Sequence, residues 1–145
     1  VNEVKKTRNN VIWIAEMLPK KEVIQLYSHA DVFCCPSIYE PFGIINIEAM
    51  ACKTAVVASA VGGIKEVVVH GETGLLIPLE QQNEAPFEPV NPDKFSRDLA
   101  EGINKLINDK ALREKMAVNS RKRVEDYFDW IAIAKQVEDL YASLI

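Results

Sequence analysis

The sequence predicts an α/β fold: a Rossmann-like, three-layer parallel sheet with helices on both faces. Three observations predict it. Short apolar runs, such as Val32-Phe33-Cys34-Cys35-Pro36 and Ala55-Val56-Val57-Ala58-Ser59, have the length and composition of buried strands. Stretches with helical spacing separate these runs, and parallel strands need crossovers of that length. Glycine turns, Gly62-Gly63 and Gly71-Glu72-Thr73-Gly74, punctuate the alternation.

The elements follow in order. Val11-Ile12-Trp13-Ile14 reads as a short buried strand. Lys21–Ala30 carries Val23, Ile24, Leu26 and Tyr27 at helical spacing. Next come the Val32 strand, a helix from Gly43 to Cys52, and the Ala55 strand. Gly62 to His70 is a glycine turn followed by a short helix, and Leu75-Leu76-Ile77-Pro78 is a further short strand. Gln81 to Asn91 holds Pro86 and Pro89 and reads as a loop. Three helices finish the chain, over Asp93–Asn108, Lys110–Tyr127 and Trp130–Leu144. Asp93, Asp109 and Asp129 serve as N-caps or first-turn acids.

The chain has 145 residues, enough for one domain with its own core. It is 48% apolar and 26% charged, which is ordinary for a globular protein. A net charge of −4 argues against nucleic acid as a partner. No apolar run approaches the roughly 20 residues that span a bilayer. Cys34, Cys35 and Cys52 have no metal-ligand or disulfide spacing and read as small buried hydrophobes in a reducing cytosol, so a cytoplasmic location is expected. Trp13 and Trp130 read as core residues. His29 ends a helix, and His70 precedes the Gly71–Gly74 turn. Arg121-Lys122-Arg123 reads as a solvated helix face.

The stretch from Pro36 to Met50 is the most informative. It puts Glu40 just before a helix and Glu48 inside it. In open α/β sheets, ligands bind beyond the carboxyl ends of the strands, beside helix N-termini. From Gly43 to Cys52 the only polar side chains are Asn46 and Glu48, so this helix is buried. A carboxylate there is costly without a partner. Helical side chains lean toward the N-terminus, which aims Glu48 at the crevice. The first amides, about Gly43 to Asn46, lack intrahelical partners and lie at the positive end of the helix dipole, where a phosphate binds. Gly43 permits close backbone approach. The competing explanation is that Glu48 bonds a neighbouring amide or lysine and Glu40 is a solvated loop acid. It serves for either acid alone better than for the whole string.

Glu40 and Glu48 form an E-x7-E pair framed as E-P-F-G-I-x-x-x-E-A-M-A. This string resembles the signature of retaining glycosyltransferases built from two Rossmann-like domains, the GT-B fold. Leu26-Tyr27-Ser28-His29-Ala30-Asp31-Val32, Val56-Val57-Ala58-Ser59, Gly62-Gly63-Ile64 and Gly71-Glu72-Thr73-Gly74-Leu75-Leu76 resemble that family too, so the likeness runs from about Val11 to Leu144. The detailed wording is most similar to bacterial glycogen synthases. The resemblance implies transfer of glucose from ADP-glucose or UDP-glucose to an α-glucan, with no cofactor and no metal. It implies that Glu40 holds the donor sugar and Glu48 the ribose. The amides of Phe42, Gly43, Ile44 and Ile45 then contact the sugar and diphosphate. Glu16 and Met17, in the loop Ala15-Glu16-Met17, lie near the base, and Thr54 approaches the ribose or phosphates.

Lys53, Ala55 and Lys65 depart from the family pattern. Lys53 stands where glycine eases a left-handed helix end, at a cost of up to ~1 kcal/mol. A start at Val1-Asn2-Glu3 reads as a fragment: residues 1–145 as the C-terminal part of the donor-binding domain, without its first two βα units. Val1–Asn10 show no match to the Arg and Lys that neutralise the diphosphate in the family. On that reading the isolated chain is inactive, its open sheet edge favours self-association, and helix 130–144 crosses back toward an N-terminal domain that supplies the acceptor site. The alternatives are another acceptor (a sugar-lipid or sugar phosphate), a non-catalytic nucleotide-binding or assembly module, and, more distantly, a sugar-nucleotide epimerase.

Overall fold

The computed structural model describes residues 6–144, so Val1–Lys5 and Ile145 of the expected 1–145 domain lie outside the described residues. The elements run α1 (Lys20–His29), β1 (Val32–Cys35), α2 (Ile44–Ala51), β2 (Ala55–Ser59), α3 (Ile64–Val67), β3 (Gly74–Ile77), α4 (Pro92–Asn108), α5 (Lys110–Tyr127) and α6 (Trp130–Ala142). The strands form a three-stranded parallel sheet in the order β1-β2-β3. Val32 pairs with Ala55 and Val56 with Gly74, and each register continues residue by residue.

Every residue of β2 is buried, as the middle strand of a covered parallel sheet must be. Its side chains alternate between two cores. Val56 and Ala58 join Met50, Ile64, Val67 and Val124 on one face. Ala55 and Val57 join Leu75, Phe95, Leu106 and Met116 on the other. Helices therefore cover both faces, which is the expected three-layer arrangement. Gly102 lets α4 lie close to the sheet, because a Cβ there would stand 2.9 Å from Ile77 Cδ1.

Helix ends follow local chemistry. Asp109 Oδ1 accepts from the Leu112 amide, and Asp129 Oδ1 from the Ala132 amide. Asp93 is a first-turn acid, and Asn91 is the N-cap of α4. Lys53, after α2, has φ +58, the left-handed conformation its position predicts.

Three expectations are corrected. Val11–Ile14 is not a strand: it lies outside the sheet, and β1 pairs with β2 alone among the described strands. An apolar run becomes a strand only where its backbone finds a ladder partner. Trp13 and Trp130 are not core residues, since they are 54% and 87% exposed. Apolar character alone does not bury a ring. Arg121 and Arg123 are not simply solvated. Arg121 donates to Ala51 O at 2.6 Å, and Arg123 donates to Val67 O at 2.8 Å and Glu66 O at 2.7 Å. Each satisfies the open carbonyls at the end of a neighbouring helix. Lys122 between them pairs with Asp126 and behaves as expected.

Candidate functional site

The loop from Pro36 to Gly43 leaves the carboxyl end of β1 and enters α2. Its conformation is held from three sides. Ser59, at the end of β2, is buried and donates its hydroxyl to Ser37 O. Gly63 N donates to Glu40 O at 3.1 Å. Gln81 Nε2 donates to Ile38 O at 2.6 Å. Below the loop, Gly62 and Gly63 leave no room for side chains. A Cβ on Gly62 would lie 2.0 Å from Glu40 O, and one on Gly63 would lie 2.5 Å from Pro41 O and Phe42 Cα.

Gly43 caps α2 with φ +101, a conformation glycine adopts without penalty. Glu40 is half-buried, and its Cγ lies 3.7 Å from where a Gly43 Cβ would stand. The first predicted acid therefore sits against the N-terminus of α2. Asn46 N and Ile47 N both donate to Gly43 O, so the unengaged amides narrow to Phe42, Gly43, Ile44 and Ile45 among the described residues. Asn46 itself is fully buried. Its Nδ2 reaches Cys35 Sγ at 3.7 Å, and its Oδ1 has no hydrogen-bond partner among the described residues.

Glu48, also half-buried, faces a groove of about 310 Å³ between α1 and α2. Lys20, Val23, Tyr27 and Arg121 line it too. Burial first, and the Glu48 carboxylate second, push the Tyr27 phenol above its usual pKa. Neither Glu40 nor Glu48 makes a side-chain hydrogen bond or ion pair with another described residue. The neighbouring amide or lysine that would have explained Glu48 without a ligand is not engaged.

Other predicted residues stand apart. Glu16 lines a separate groove of about 880 Å³ on another face of α1, with Leu26 and His29. Met17 is 98% exposed. Thr54 is buried, and its hydroxyl donates to Tyr27 O at 2.5 Å, tying the end of α1 to the start of β2. Sequence reasoning missed the supports of the Glu40 loop. Gly62-Gly63 signalled a turn, but not which backbone it would meet. Gln81 gave no signal, because its partner lies 43 positions away.

Known proteins share this fold. The family model described as "Glycosyl transferases group 1" matches residues 3–86. The chain is 43% identical over 144 residues to the α-maltose-1-phosphate synthase of Mycolicibacterium smegmatis, covering 99% of this chain and 35% of that protein. Among solved structures, the sucrose-phosphate synthase of Thermosynechococcus elongatus superposes with a TM-score of 0.78 at 36% identity, covering 99% of this chain and 33% of the other. Anabaena HepE, in complex with UDP and glucose, superposes with a TM-score of 0.76 at 27% identity, over 98% of this chain and 35% of the other. The chain thus spans about a third of the length of these relatives. A parallel α/β sheet, a glycine-capped helix with one half-buried glutamate before it and another within it, and a family match over residues 3–86 agree: the chain belongs to the glycosyl transferases group 1 family.

Proposed function

We propose that this chain is the donor-binding part of a retaining hexosyltransferase that moves glucose from ADP-glucose or UDP-glucose to an α-glucan, as glycogen synthases do. One observation carries the reading. Glu40 precedes α2 and Glu48 lies in its second turn, and neither carboxylate makes a hydrogen bond or ion pair with a described residue. In this proposal Glu48 accepts hydrogen bonds from the ribose, and Glu40 accepts them from the donor hexose. The amides of Phe42, Gly43, Ile44 and Ile45 stabilise the diphosphate as negative charge builds on it. The Gly62-Gly63 floor and the Ser59 and Gln81 bonds keep this geometry in place before the ligand arrives. HepE, solved with UDP and glucose, supports a nucleotide-sugar donor.

A second reading keeps the donor and changes the acceptor to a sugar phosphate. The names of two relatives favour it, α-maltose-1-phosphate synthase and sucrose-phosphate synthase. One experiment separates the two. The intact protein is incubated with ADP-glucose or UDP-glucose, together with either glycogen or glucose 1-phosphate. Extended glucan supports the first reading, and a disaccharide phosphate supports the second. If nucleotide is released with neither acceptor, both fail.

A further inference from the structure

We infer that Tyr39 and Phe87 form a platform for a pyranose ring of the acceptor. The inference rests on the proposed hexosyl transfer and goes beyond it, because that proposal assigns the donor to Glu40, Glu48 and the amides of α2 and uses neither ring. The two rings stack with centroids 6.4 Å apart and planes 17° from parallel. Tyr39 is 68% exposed and Phe87 37% exposed, so the pair offers aromatic surface to a ligand. Tyr39 is the residue before Glu40, which puts the platform on the rim of the donor site.

The loop after β3 is built to hold Phe87 there. Val90 N donates to Glu80 O and Gln82 N to Glu88 O, each at 2.9 Å, so the loop closes on itself like a hairpin. Gln81 reaches across from inside it. Its Nε2 donates to Phe87 O at 2.8 Å and to Ile38 O at 2.6 Å, joining the two ring-bearing segments through one amide group. Phe87 itself has φ +61. A bulky side chain in the left-handed region is an outlier that persists only where its surroundings impose it, and such residues cluster at binding sites. Two loops from opposite ends of the sheet order thus meet beyond the carboxyl ends of the strands to stack two rings against each other.

The chemistry of the ring pair selects the ligand. One face of a pyranose is largely C–H, and the negative face of an aromatic ring attracts it. Its hydroxyl edge needs acceptors, and the exposed carboxylates Glu84 and Glu88 lie on the same loop. The donor hexose is already assigned to Glu40 and the amides of α2. An open rim suits an acceptor ring that must arrive and leave at each turnover.

The test uses the intact protein with Tyr39→Ala, Tyr39→Phe and Phe87→Gly. The glycine change removes the ring and tolerates the left-handed backbone. We expect Tyr39→Ala and Phe87→Gly to raise the acceptor KM roughly tenfold, the scale of one lost ring contact. The Kd for ADP or UDP stays within about twofold, and Tyr39→Phe behaves as wild type. Glycogen and glucose 1-phosphate are run as separate arms, and the one whose KM rises identifies the acceptor. Unchanged acceptor KM in both ring-deleting variants overturns the platform while leaving donor binding intact. A fall in nucleotide affinity equal to the rise in KM overturns it too. Wild-type protein that binds no nucleotide defeats the donor reading instead, and the platform with it.

Discussion

Gly62→Ala tests whether the turn after β2 holds the Glu40 loop in its working position. The new Cβ would lie 2.0 Å from Glu40 O, and ordinary contact starts at 3.4 Å. The loop and the turn must therefore part by about 1.4 Å, the difference between those distances. Two costs follow. Alanine at φ +45 sits in the left-handed region, at ~1–2 kcal/mol. Separation also weakens the bond from Gly63 N to Glu40 O, about 1 kcal/mol more. A stability loss of roughly 2–3 kcal/mol is expected, or a Tm lower by about 5–10 °C for a domain of this size. If Glu40 holds the reacting sugar, a shift of that length costs on the order of a hundredfold in turnover. Gly71→Ala is the control. It has φ +79 but no atom within 4 Å of the added Cβ, so it pays the backbone term alone. Thermal melts and hexosyl-transfer rates of the intact protein carrying each change give the answer. If Gly62→Ala melts with Gly71→Ala and keeps its turnover, the turn does not position Glu40.

Four further outcomes are expected. Glu48→Ala weakens ADP or UDP binding roughly ten- to a hundredfold, the worth of a charge-assisted hydrogen bond of about 1.5–3 kcal/mol, as calorimetry will show. Glu40→Gln lowers turnover on the order of a hundredfold while the ADP inhibition constant holds; the opposite pattern reverses the roles of the two acids. Arg123→Ala releases the carbonyls of Glu66 and Val67 and a cation 5.5 Å from the Phe128 ring centroid, costing about 2–3 kcal/mol in urea unfolding; Lys122→Ala, which breaks only an exposed pair, leaves the urea midpoint close to wild type. Lys53→Gly relieves a left-handed backbone at φ +58 and raises stability by up to ~1 kcal/mol, and a lower Tm would show that the lysine side chain contributes more than its strain costs.

What the sequence determined by itself is local. The strands β1, β2 and β3, the caps Asp109 and Asp129 and the left-handed Lys53 all follow from patterns spanning a few residues. Glu40 before a helix and Glu48 within it were legible for the same reason, because spacing along a helix sets direction. Tertiary structure decided the rest. Val11–Ile14 has the composition of a strand, but ladder hydrogen bonds come from another segment, and no described strand offers them. Arg121 and Arg123 look like surface charges until α2 and α3 bring open carbonyls to them across 56 to 70 positions. Gly62 meets Glu40 only once β2 has paired with β1, and Gln81 reaches Ile38 only once β3 has returned to the sheet. Residue spacing constrains neighbours within a helical turn or a strand. Which distant backbone arrives beside a residue depends on how the layers pack, and that geometry determines which loops shape the site.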